Sequence, residues 1–124
     1  MKFFNVTNHT LTDAQQTFEA DIIELTDELK QQWGNVDPYA ETVDETVQAV
    51  FEFIKTNSSE GDMALVQGDM GCTFMLVNML QRIGITTVYA TTKRSSVEQT
   101  MPDGSVVKKS TFEHVQFRKY KLHA

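Results

Sequence analysis

A single cysteine, Cys72, leaves the chain no intramolecular disulfide and no thiolate cluster for zinc, which suits a reducing compartment. His9, His114 and His123 lie far apart with no ligand spacing, so no metal site is expected. No apolar run approaches the ~20 residues that cross a bilayer. The start, MKFFNVTNHT, lacks the apolar core and cleavage site of a signal peptide, so the expected location is the cytoplasm and no membrane partner is expected. Proline is scarce at 2 residues, and 40% hydrophobic with 23% charged residues excludes the disordered and fibrous classes. A chain of 124 residues can bury one core, so 1–124 reads as a single domain.

Positive charge is also scarce, and it is unevenly placed. Residues 1–92 hold 4 Lys/Arg against 14 Asp/Glu, while residues 93–124 hold 7 against 3, within a formal net charge of −6. That asymmetry points to a local anionic ligand and away from DNA, whose partners are basic throughout. Lys108, Lys109, Lys119 and Lys121 also read plainly as solvated hairpin residues that keep an edge strand soluble.

What is present is an alternation. KFFNV at 2–6 reads as a buried strand, and Thr12-Asp13-Ala14-Gln15 has capping-box spacing for a helix starting near Thr10 or Thr12. DIIEL at 21–25 is a second strand candidate, followed by helix-like residues 26–33. In TVDETVQAVFEFIKTN, residues Val43, Val47, Val50, Phe51 and Ile54 mark one face of a 3.6-residue repeat. MALVQG at 63–68 has the compact apolar character of a central parallel strand. Gly71 to Ile83 reads as a helix with Cys72, Met75, Leu76, Met79 and Leu80 inward and Gly84 closing it, and ITTVYA begins another strand. Pro102-Asp103-Gly104 marks a turn between Val97–Met101 and Ser105–Tyr120. The expectation is an α/β fold: a Rossmann-like three-layer sandwich with a mostly parallel central sheet, helices on both faces and a carboxy-terminal β-hairpin.

Ligands of open parallel sheets bind outside the carboxyl ends of the strands. That rule selects three loops: Asn8-His9-Thr10, then Gly68-Asp69-Met70-Gly71-Cys72-Thr73, then Thr91-Thr92-Lys93-Arg94. The middle loop places two glycines at a helix start, where backbone can approach and free N–H groups favour an anion. It is neither a dinucleotide fingerprint nor a P-loop, and Asp69 reads equally as a plain helix cap. Lys93 and Arg94 offer a point charge and a bidentate fork for phosphate oxygens. His9 is an acid–base candidate or a structural loop histidine, and His114 reads as a packed or interface side chain. Cys72 has no histidine partner in the sequence to make it a nucleophile. The methionines of this helix read as core or dimer contacts.

VTNHTLTDAQ, GDMGCTFMLVNMLQRIGI and ATTKRSSVEQTMPDGSVVKKSTFEHVQFRKY together resemble the small, single-domain CRISPR-associated proteins of the CARF (Rossmann-like) group. The resemblance spans most of the chain, with 26–60 its least distinctive part. It implies a homodimer that binds a cyclic oligoadenylate, most often cyclic tetra-adenylate, across its two-fold axis. It also implies ring-nuclease activity that switches off type III CRISPR signalling without a metal or cofactor, the ribose 2′-hydroxyl attacking the neighbouring phosphorus. In that reading His9, Lys93 and Arg94 are catalytic. Thr7, Asn8, Thr10, Gly68, Asp69, Met70, Gly71, Cys72, Thr73, Thr91 and Thr92 contact the ligand. A non-catalytic sensor or sponge for the same ring is the alternative, and a generic α/β interaction protein the third.

Overall fold

The computed structural model describes residues 1–16 and 19–122; His123 lies outside them. Five strands form one sheet in the order β2-β1-β3-β4-β5: β1 (Lys2–Val6), β2 (Asp21–Glu24), β3 (Met63–Val66), β4 (Thr86–Thr100) and β5 (Val106–Lys119). The β1–β2, β1–β3 and β3–β4 pairs are parallel, and β4–β5 is antiparallel. The protein is therefore an α/β fold with a mostly parallel sheet and a carboxy-terminal hairpin. β1 and β3 are buried over nearly their whole length, as the apolar runs KFFNV and MALV require of central strands.

Three α-helices connect the strands: α1 (Asp27–Gly34), α2 (Asp44–Asn57) and α3 (Met70–Arg82). Thr26 caps α1, its hydroxyl accepting the Leu29 N–H at 3.3 Å, and Asp69 caps α3, accepting the Cys72 N–H at 3.0 Å. Gly84, at φ +83°, ends α3 in a left-handed turn that returns the Ile85 N–H to the Leu80 carbonyl at 3.1 Å. Val47, Val50, Phe51 and Ile54 of α2 are buried as their spacing predicts, and they meet Leu76 and Leu80 of α3 and Trp33 of α1 over Phe4, Val6, Ala64 and Val66.

Two expectations need correction. All three helices serve this one face. The opposite cluster of Phe3, Leu65 and Val88 takes Leu11 from the 7–20 connection, so helices do not cover both faces among the described residues. The capping box does form, with Thr12 N–H donating to Gln15 Oε1 at 2.9 Å and Gln15 N–H to Thr12 Oγ1 at 3.3 Å, but it opens a 3-10 turn at Asp13–Gln16. The second is β4: it runs unbroken from Thr86 to Thr100, so Thr91, Thr92, Lys93 and Arg94 are strand residues, not a loop.

Asp62 fastens the start of the sheet. Its carboxylate accepts the Lys2 N–H at 3.0 Å and the Ser59 N–H at 2.9 Å, joining β1 to the turn before β3. Burial pushes this carboxyl up, but those two N–H donors, with the amino-terminal and Lys2 charges, outweigh it and hold it below its ordinary value. A lowered folded-state value means stability that is present above the unfolded carboxyl range and is lost as pH falls below about 4. Asp62→Ala orphans both donors and is expected to cost about 1–3 kcal/mol in urea unfolding. The difference from wild type should shrink as pH falls through that window, which unfolding curves at stepped pH would check.

Candidate functional site

The chain lays β2 to one side of β1 and β3 to the other, so the direction of winding reverses between β1 and β3, where such sheets place a ligand crevice. Here that position is occupied by Trp33. Its indole Nε1 donates to the Gln67 carbonyl at 2.9 Å, and a Cβ built on Gly68 would lie 2.6 Å from the same nitrogen. Gly34, the next residue, is equally close to the first loop: a Cβ there would lie 2.8 Å from Asn8 Cβ. Gly68 and Gly34 are therefore required by close approach to a ring and a side chain.

Two clefts open beside this partition. One, of about 550 Å³, lies between the amino-terminal half of α3 and the root of the hairpin; its walls include Gly68, Met70, Thr73, Phe74, Tyr89 and Tyr120. Lys121 brings a cation to its rim. The other, of about 350 Å³, is polar and is lined by Asn8, Asp27, Lys30, Gln31, Gly34 and Asn35. The first and middle predicted loops thus serve different clefts.

The larger cleft is well supported. Gln67 Oε1 accepts the Ala90 N–H at 2.9 Å, tying β4 to the end of β3. The Tyr120 hydroxyl donates to the Val66 carbonyl at 2.7 Å, and its ring packs on Tyr89 at 4.9 Å between centroids. Burial, and then Tyr89, push the Tyr120 phenol up, so it stays a neutral donor. The Thr73 hydroxyl on the cleft wall is shielded from solvent and has no hydrogen-bond partner among the described residues, whereas such groups are ordinarily satisfied.

The other candidates divide by side-chain direction. Thr7 is buried, its hydroxyl donating to Asn5 Oδ1 at 2.7 Å, so it shapes the first loop from inside. His9 and Thr10 are exposed and line neither cleft. Asp69 is the α3 cap. Cys72 points into the core; burial, then the Asp69 charge and hydrogen bond, push its thiol up to about 11, so it supplies no thiolate and its side chain leaves the ligand set. A Cβ built on Gly71 would make ordinary contacts with Asp69 Oδ1 at 3.4 Å and Val43 Cγ2 at 3.9 Å, so no close approach requires a glycine there.

Lys93 and Arg94 separate. Successive strand residues face opposite sides, and the bulge near Thr91 and Thr92 leaves β4 itself continuous. Lys93 shares the face of Tyr89, four residues beyond the cleft. Arg94 shares the face of Val88 and Ala90, sits 5.9 Å from the Phe112 ring and donates to Ser110 Oγ at 3.2 Å. The two cations therefore do not form one fork. Gln67, Phe74, Tyr89, Tyr120 and Lys121 are site residues that sequence reasoning missed; the aromatic pair lies 31 positions apart, and only the β4–β5 register brings it together.

Fold and site together define an α/β protein with a mixed aromatic and polar cleft at the carboxyl end of its central strand. The chain belongs to the Uncharacterized protein MJ1673 family, whose model matches residues 1–118. It is 32% identical over 125 residues to Uncharacterized protein MJ1673 of Methanocaldococcus jannaschii, covering 96% of each chain. No solved structure matches it. Among the described residues, no helix is long and apolar enough to cross a membrane.

Proposed function

We propose that this protein binds a cyclic oligoadenylate, cyclic tetra-adenylate in the first instance, as a cytoplasmic homodimer, and linearises it. The fold is then a Rossmann-like sandwich whose third layer is thinned to Leu11, the Asp13–Gln16 turn and Ala20 among the described residues. The observation that carries the reading is the α3 cleft: tyrosine and phenylalanine walls suited to a purine, an unspent Thr73 hydroxyl, and the start of a helix that favours phosphate. The resemblance of the three sequence stretches to CARF-type proteins supports the same ligand.

In the proposed reaction the ribose 2′-oxygen attacks the adjacent phosphorus and the phosphorus–O5′ bond breaks. The 2′-hydroxyl proton goes to a base, for which His9 is the candidate, and the O5′ leaving group takes a proton, leaving a 2′,3′-cyclic phosphate. Positioning and charge stabilisation are what the protein supplies, with Lys93, on the cleft side of the sheet, the candidate to face the phosphorane in preference to Arg94. Binding without cleavage is the second reading. It is favoured by the divergence of Lys93 and Arg94 and by the absence of His9 from the cleft walls.

A single-turnover assay with labelled cyclic tetra-adenylate at excess protein separates the two. Linear product with a 2′,3′-cyclic phosphate, formed equally in EDTA, is the expected result, whereas intact ring that still raises the melting temperature would establish the binder. No melting shift, with no change in the emission of the single Trp33, would remove both.

A further inference from the structure

We infer that residues 89–100 of β4 and 106–117 of β5 form an arm that packs on the body of a second copy of this chain. The inference deepens the homodimer of the proposed function by naming its surface, and it is tested without nucleotide, so that it stands or fails apart from the ring.

β3 accompanies β4 only as far as Val88. Beyond that residue the two strands continue as a two-stranded ribbon up to the turn at Pro102-Asp103-Gly104. A lone ribbon of this kind is marginal in water unless something covers a face. Nothing among the described residues does so past its root, since every residue from Ser96 to Glu113 is exposed. The ribbon nonetheless carries Val97, Val106, Val107 and Phe112, exposed by 60%, 59%, 42% and 67%. Alternation and register put Lys93, Val97, Val107 and Lys109 on one face with Glu113 opposite Lys93, so an apolar pair lies between two lysines and one carboxylate.

The body offers a counterpart. Met70 and Phe74, 89% and 73% exposed, stand one turn apart on α3, at the sheet end from which the ribbon departs. Charge selects the occupant: the arm holds Lys93, Arg94, Lys108 and Lys109 against Glu98 and Glu113, whereas residues 1–88 hold 4 Lys/Arg against 14 Asp/Glu. Arm against arm would oppose like charges, whereas arm against the body of another copy pairs opposite ones. A two-fold axis makes the contact twice, Val97 and Val107 of each copy meeting Phe74 and Met70 of the other. The partner's Lys93 face would then stand over the α3 cleft, adding positive charge to that of Lys121 at its rim.

Sedimentation velocity on the full chain tests this. The wild type is expected at twice the 14.1 kDa chain mass. Self-association should weaken about tenfold or more in Val97→Asp and separately in Phe74→Ser, and should weaken as NaCl rises from about 0.05 to 0.5 M. Both positions are exposed, so far-UV circular dichroism should remain that of wild type. A monomer at about 100 µM, a dimer indifferent to both substitutions, or a dimer that tightens with salt as arm-to-arm pairing would, each overturns the inference.

Discussion

Trp33→Ala is expected to destabilise the protein by about 3–5 kcal/mol, the largest effect of any single side chain near the site. The indole is 1% exposed, packs within the cluster shared by α2, α3 and the sheet, and is the donor that satisfies the Gln67 carbonyl. Its removal leaves a cavity where α1 cannot collapse onto Gly68, because the backbone there is held by Gln67 N–H donating to the Val6 carbonyl at 3.1 Å and Gln67 Oε1 accepting from Ala90. Trp33→Phe separates the contributions: it keeps most of the ring volume and loses only the hydrogen bond, so about 1 kcal/mol of that loss should remain. Since Trp33 is the single tryptophan, the measurement is urea unfolding followed by circular dichroism. A loss in Trp33→Ala under about 1 kcal/mol would mean that the side chain is not a core member, and that the crevice between β1 and β3 is open in solution.

How much of this was legible in the sequence depended on whether burial had written a pattern into it. α2 has a polar face and a buried face, so Val47, Val50, Phe51 and Ile54 declared both the helix and its orientation. β1 and β3 are buried on both sides and read as apolar runs. β4 past Thr91 has neither face buried among the described residues, so no period-two alternation arises, and TTKRSSVEQT looks like a loop although cross-strand pairing keeps it extended. The capping box of Thr12 and Gln15 announced where a helical turn begins but not how long it lasts, since caps specify an end and packing specifies length. Trp33 in the crevice depends on a glycine 35 residues away, a contact no local window contains. Two of the three expected loops lie at the carboxyl end of the sheet, where the Trp33 partition assigns them to different clefts, while the third is part of the long strand and lies on the arm.

That distribution separates two cations that the sequence presents as a pair. Lys93→Ala is expected to weaken binding of cyclic tetra-adenylate by about tenfold or more, the loss of one charge-assisted phosphate contact. Arg94→Ala should weaken it by less than about threefold, within the range of an exposed surface charge. The reason is direction: Lys93 follows Tyr89 on the cleft side of the sheet, whereas Arg94 is turned to the other face and engaged by Phe112 and Ser110. Lys108, opposite Glu98 on the Arg94 face, serves as the control and should behave as Arg94 does. Titration of each variant at two salt concentrations gives the answer. Near-equal losses from all three would mean that the arm attracts the ring through its summed charge alone, with no phosphate held by a particular residue. A loss confined to Arg94 would put the ligand on the Phe3–Leu65 face of the sheet, which among the described residues is packed by Leu11 and Ala20 of the connecting segment.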